Sequence, residues 1–201
     1  KAGHFYRLGV ADLKPLPACS QLFMLPGRVA VGLDPQSGAM VRLKRYAFGK
    51  AAQPCFPVAV FLAPGHTATY HAAYAYEKRE DLLPLFAYAA AAFYRGRFYG
   101  AGVCVDRELR QDARYMDLTL MRKNISRFKK LFPQNRLIRH LENCACVNGC
   151  PAAKNFFLQR YEAPLPTSPS CNAQCAGCIS YQPQDLVPVT QERIQFVPTP
   201  Q

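Results

Sequence analysis

Six of the nine cysteines in this 201-residue chain lie between residues 144 and 178, in two tight groups. One is Cys144, Cys146 and Cys150; the other is Cys171, Cys175 and Cys178. A small secreted domain spreads its cysteines as disulfide staples. The N-terminus here also lacks the charged-then-apolar layout of a secretory signal. Dense thiols without such a signal predict soft-metal ligation in a reducing, cytoplasmic setting. Pro164, Pro166, Pro169, Pro183 and Pro188 break any long element after Cys144, so this end must be rich in loops.

The rest of the chain has enough apolar residues, 50% of the total, to build a core. No run of about 18 apolar residues predicts a membrane span. The nearest run, Leu82 to Tyr94, is short and is followed by Arg95 and Arg97. Three strand–turn–strand units are expected before residue 106. Val29–Leu33 and Met40–Leu43 flank the turn-rich stretch 34–38. Pro57–Leu62 and Thr67–Tyr76 flank Ala63-Pro64-Gly65-His66. Leu85–Tyr94 and Phe98–Asp106 flank Arg95-Gly96-Arg97. In the third unit Ala89–Ala92 favours helix by propensity. The symmetric pairs Phe93-Tyr94 and Phe98-Tyr99 favour a hairpin with cross-strand aromatic contacts.

After Asp106 the period changes. Asp117 is a candidate N-cap, and Leu118, Met121, Ile125, Phe128 and Phe132 recur at helical spacing as a core stripe. Pro133 should end this helix or kink it, and Asn135 could cap a second through Leu137 and Leu141 toward Glu142. Asn155 to Tyr161 reads as a strand or a single helical turn. Residues 107–160 carry twelve Lys or Arg against four acids, a net +8 of the chain's +12. Such an excess suits nucleic acid or another polyanion, or is simply a solvated helix face.

The second cysteine group, 171–178, has the spacing C-x3-C-x2-C. Three thiolates on one eight-residue loop can wrap a compact iron–sulfur core. Three ligands on a four-iron cluster leave one iron open to substrate, where an electron-transfer ferredoxin would supply four. Zinc with a fourth ligand from elsewhere, or no metal, are the alternatives. The first group, C-x-C-x3-C, has His140 four residues ahead. His140, Cys144, Cys146 and Cys150 could hold zinc or an auxiliary cluster. They could also be buried structural cysteines, or form a redox disulfide most easily joining Cys150 to one of the other two. His66 and His71 adjoin a turn and carry no catalytic expectation.

The C-x3-C-x2-C loop, with Asn172 after its first cysteine, resembles the signature of the radical S-adenosylmethionine superfamily. The run Leu137 to Pro200 resembles a poorly characterised bacterial group within it that carries a non-barrel N-terminal region. The resemblance implies that Cys171, Cys175 and Cys178 ligate a 4Fe–4S cluster. Its open iron would bind S-adenosylmethionine for cleavage to a 5′-deoxyadenosyl radical. An electron donor such as flavodoxin or ferredoxin is implied too. Gly177 stands where many members have an aromatic residue. The later segments that bind the cosubstrate have no match here. The chain therefore reads as an N-terminal piece of a longer enzyme, inactive alone.

The expected fold class is α+β. An antiparallel, hairpin-rich β domain (1–106) precedes a basic helical segment (107–143). A cysteine-rich region (144–201) would begin a truncated β/α barrel. The alternative to the radical enzyme is a zinc-stabilised module that binds nucleic acid or a protein partner through the basic helix.

Overall fold

A computed structural model of the chain describes residues 4–25, 27–48, 51–77, 85–189 and 191–199. The first three residues of the apolar run at 82–94 lie outside the described residues. The chain divides into two compact units, residues 1–105 with 185–187, and residues 106–184 with 188–201. The class is mixed α+β, with antiparallel sheets, three α-helices and no closed barrel among the described residues.

The first unit holds the strands β1 (Lys14–Pro15), β2 (Gln21–Met24), β3 (Arg28–Leu33), β4 (Met40–Leu43), β5 (Arg45–Phe48) and β6 (Ala51–Pro54). They are followed by β7 (Val58–Phe61), β8 (His66–Ala68), β9 (Tyr74–Tyr76), β10 (Ala89–Tyr94), β11 (Arg97–Gly100) and β12 (Gly102–Cys104). The main sheet has the order β1-β11-β10-β7-β2. Its core is Val60, Leu62 and Ala89, with Leu16, Ala68 and Ala91 packed against them.

Two of the three expected hairpins form. β3 pairs with β4 across the 34–38 turn, where Asp34 Oδ1 accepts the Ser37 and Gln36 backbone N–H groups. β10 pairs with β11 in the register that places Phe93 opposite Phe98, ring centroids 5.0 Å apart. Its turn is the two residues Arg95-Gly96, both at positive φ, which matches the twist of a tight hairpin.

The middle hairpin does not form. β7 pairs instead with β2 and β10, β8 with β12, and β9 with β3. Val60 at 0% exposure needs neighbours on both sides of its strand, and a local hairpin supplies one. Gly102 explains how β8 and β12 approach. A Cβ there would stand 2.3 Å from Leu62 Cδ1 and 2.9 Å from the Thr67 carbonyl oxygen.

The second unit is built on α1 (Leu118–Leu131), α2 (Arg136–Cys146) and α3 (Pro151–Phe157). Asp117 caps α1, its Oδ1 accepting from the N–H groups of Thr119 and Leu120 at 2.9 Å. Asn135 caps α2 through Leu137 and Ile138. Pro133 follows the end of α1 as expected. The core is Met121, Ile125, Ile138, Leu141, Cys144, Ala145, Ala153 and Phe157. Leu118 and Phe132, the ends of the predicted stripe, are 48% and 49% exposed. α2 and α3 cover only the central turns of α1.

Two buried amides tie the unit together. Asn124 Nδ2 donates to the Phe157 carbonyl at 2.7 Å, which satisfies the end of α3. Asn155, fully buried, donates to the Arg110 carbonyl and to Glu162 Oε1. The stretch 155–161 thus completes α3 and leaves it, with Gln159 and Tyr161 at positive φ.

The expected opening strand of a barrel before Cys171 is absent among the described residues. After α3 they contain a 3-10 turn at Ile179–Tyr181 and no strand. Pro164, Pro166 and Pro169 explain this, because proline removes the ladder donors a barrel strand needs. α2 runs through residues 143 and 144, so the helical and cysteine-rich regions share one compact unit.

Candidate metal centres

Cys171 and Cys175 are exposed, Cys178 is half-buried, and all three thiols are free. They lie on an open loop that ends where Gly177, at φ 70°, reverses the backbone. That is the left-handed region, which an aromatic side chain would occupy only under strain. Gly177 therefore has a backbone reason to stand where the resembling family has a ring. Cys178 then opens the 3-10 turn, its carbonyl accepting the Tyr181 N–H at 3.1 Å.

Arg193 lies against this loop. Its guanidinium lies near the Cys171 and Cys178 thiols and stacks on the Tyr181 ring, 4.0 Å from the centroid. The Ala173 N–H, and after it Arg193, hold the Cys171 thiol below its ordinary pKa. Arg193 Nε is buried and has no hydrogen-bond partner. The loop thus offers three soft ligands, one already biased toward thiolate, and an unsatisfied donor on the guanidinium beside them. That donor set suits an iron–sulfur core, whose sulfurs accept hydrogen bonds.

The other group assembles differently from the sequence expectation. His140 and Cys144 stand one turn apart on α2, with Nε2 and Sγ separated by 3.4 Å. Glu192 joins them, and one ligand atom from each of the three lies within 4.8 Å of the others. Among the described residues, Cys171, Cys175 and Cys178 are not drawn together in this way. Asn143 and Asn148 both donate to Glu192 Oε2, Asn148 at 3.5 Å. The Glu192 backbone N–H near the Cys144 thiol favours its thiolate, against the larger effect of burial.

Cys150 is half-buried and packs against the helical core. Its N–H donates to the Cys144 carbonyl at 2.9 Å. Burial pushes the Cys144 thiol up to about 11, with the Cys150 thiol adding to the shift. Burial also lowers the His140 pKa, against the upward pull of the Glu192 carboxylate. Both groups are therefore neutral near pH 7.

Cys146 stays outside. It is exposed on the last turn of α2. Two helical residues differ by about 200° around the axis, so Cys144 and Cys146 cannot face one site. Glu192 carries no spacing signal, being 46 residues beyond Cys146. The one hint in the sequence is scarcity, since Asp185 and Glu192 are the only acids after Glu162.

Among the remaining candidates, His66 and His71 place Nδ1 on the Pro64 and Tyr88 carbonyl oxygens, at 3.1 and 3.0 Å. On α1, Arg122, Lys123, Arg127, Lys129 and Lys130 are exposed. Lys129 is paired with Glu142. No helix among the described residues is long and apolar enough to cross a membrane. No family model, curated protein or solved structure matches the chain.

Proposed function

We propose that this chain carries the cluster-binding loop of a radical S-adenosylmethionine enzyme, with Cys171, Cys175 and Cys178 as ligands of a 4Fe–4S cluster. The observation that carries the reading is C-x3-C-x2-C with three free thiols on one open loop. When bound, the cluster would supply the electron that cleaves the sulfonium of S-adenosylmethionine, replenished by a donor such as flavodoxin or ferredoxin. The chain's own residues have simpler tasks. The three thiolates bind iron, and Arg193 neutralises part of their charge. Gly177 turns the backbone between the second and third thiols.

Anaerobic reconstitution with iron and sulfide tests the proposal. The expected product is brown, with about four irons per chain and a reduced-state electron paramagnetic resonance signal that shifts when S-adenosylmethionine is added. An iron-free protein with zinc bound to this loop would overturn it.

The exposed basic face of α1 supports a second reading, a polyanion-binding surface. If about five phosphates are neutralised, affinity for RNA should fall with salt at a log–log slope of roughly −4. Affinity that is absent at low salt would remove this reading.

A further inference from the structure

We infer that His140, Cys144, Cys150 and Glu192 bind one zinc ion, separate from anything held by the 171–178 loop. The inference uses none of that loop's thiols and does not depend on the cluster reading. Imidazole nitrogen, two thiols and a carboxylate form the mixed donor set that zinc accepts, whereas calcium and magnesium take oxygen.

The geometry is close to what zinc needs. A tetrahedral ion with these donors holds its ligand atoms about 3.3–3.8 Å apart. His140 Nε2 and Cys144 Sγ are already 3.4 Å apart, and Glu192 lies within 4.8 Å of both. Cys150 caps the start of α3 with its N–H bonded to the Cys144 carbonyl; its Sγ lies outside the 4.8 Å group, so it must turn inward to become the fourth ligand. The surroundings are also those of a metal site. Two amides, Asn143 and Asn148, fix one Glu192 oxygen and leave the other for the ion. Such outer partners orient ligands and raise affinity.

Placement gives the ion a task. Glu192 and Arg193 are consecutive, and their side chains reach different centres. Glu192 meets His140 and Cys144, while Arg193 meets Cys171 and Cys178. A zinc ion on Glu192 would pin the 191–194 segment to α2 and hold the guanidinium against the cysteine loop. Ile194, 1% exposed, anchors the same segment by packing.

Metal analysis of the full chain tests the inference. A variant with Cys171, Cys175 and Cys178 all changed to alanine should still retain about one zinc after dialysis against metal-free buffer. On that background His140→Ala or Cys144→Ala should release it, and Cys146→Ser should keep it. Asn148→Ala should weaken binding about 10- to 100-fold. Cobalt(II) in place of zinc should give a thiolate charge-transfer band, roughly halved by Cys150→Ser. Three results would each overturn the inference. These are no stoichiometric zinc on the triple background, zinc that survives His140→Ala, and a full-strength band in Cys150→Ser. If His140→Ala fails to fold, the cobalt titration of the triple variant still decides, since a missing band overturns the site. Iron uptake by the unmodified loop is a separate measurement, so failure of one assignment leaves the other standing.

Discussion

Replacing Cys178 with alanine is expected to reduce reconstituted iron from about four per chain to near zero, not to about three. A cubane already open at one iron depends on all three protein thiolates. With two left, half of its irons lack a protein ligand and the core is lost as a whole. The substitution should leave the fold intact. Cys178 begins the 179–181 turn through its backbone carbonyl, and its side chain makes no cap bond. Far-ultraviolet circular dichroism that matches the parent, together with lost iron, identifies ligation as the cause. Cys144→Ala supplies the contrast. It should leave iron unchanged, because Cys144 is buried in the helical core and belongs to the other group. Equal iron loss in both variants would mean that the two cysteine groups share one metal body.

The second large effect is expected at Phe157. It has 0% exposure and contacts the rings of Phe128 and Phe156, at centroid distances of 6.0 and 5.0 Å. Phe157→Ala should cost about 3–5 kcal/mol, much of the stability of a typical domain. α3 has seven residues and cannot persist without packing. Removing its main anchor should also loosen the Asn124 bond to the Phe157 carbonyl. Chemical denaturation followed at 222 nm measures the loss. Leu118→Ala, at the start of the α1 stripe and half exposed, should cost less than about 1 kcal/mol. Equal effects at the two positions would contradict the packing described for the helical unit.

What could be read from the sequence was local. Asp117 and Asn135 cap their helices because a short acceptor precedes an apolar period, and both sit within three residues of the N–H groups they serve. The β3–β4 and β10–β11 hairpins follow from turn residues between their strands. The failures were long-range. β7 has a neighbouring apolar segment at 67–76 yet pairs with β2 and β10, because burial on both sides outweighs proximity in sequence. Leu118 and Phe132 keep the helical period but lie beyond the reach of α2 and α3.

The second cysteine group combined both kinds of signal. His140 and Cys144 were visible at i, i+4. The spacing C-x-C-x3-C groups Cys146 with Cys144 and Cys150, whereas α2 carries it around the far side. Glu192 arrives from about 50 residues away, and no local pattern marks it. The 171–178 cysteines are plain in the sequence as C-x3-C-x2-C, and the structure leaves them on an open loop without drawing the three thiols together.

Gly177 has a consequence for how such loops are found and altered. Its position is under a chirality requirement, φ 70°, that side-chain chemistry does not express. Gly177→Tyr should therefore cost about 1–2 kcal/mol, with Gly177→Asn costing less, as chemical denaturation would measure. A pattern search that demands a ring before the third cysteine would pass over every chain that satisfies the turn in this way. The dihedral angle, not the ring, is the property such chains would share.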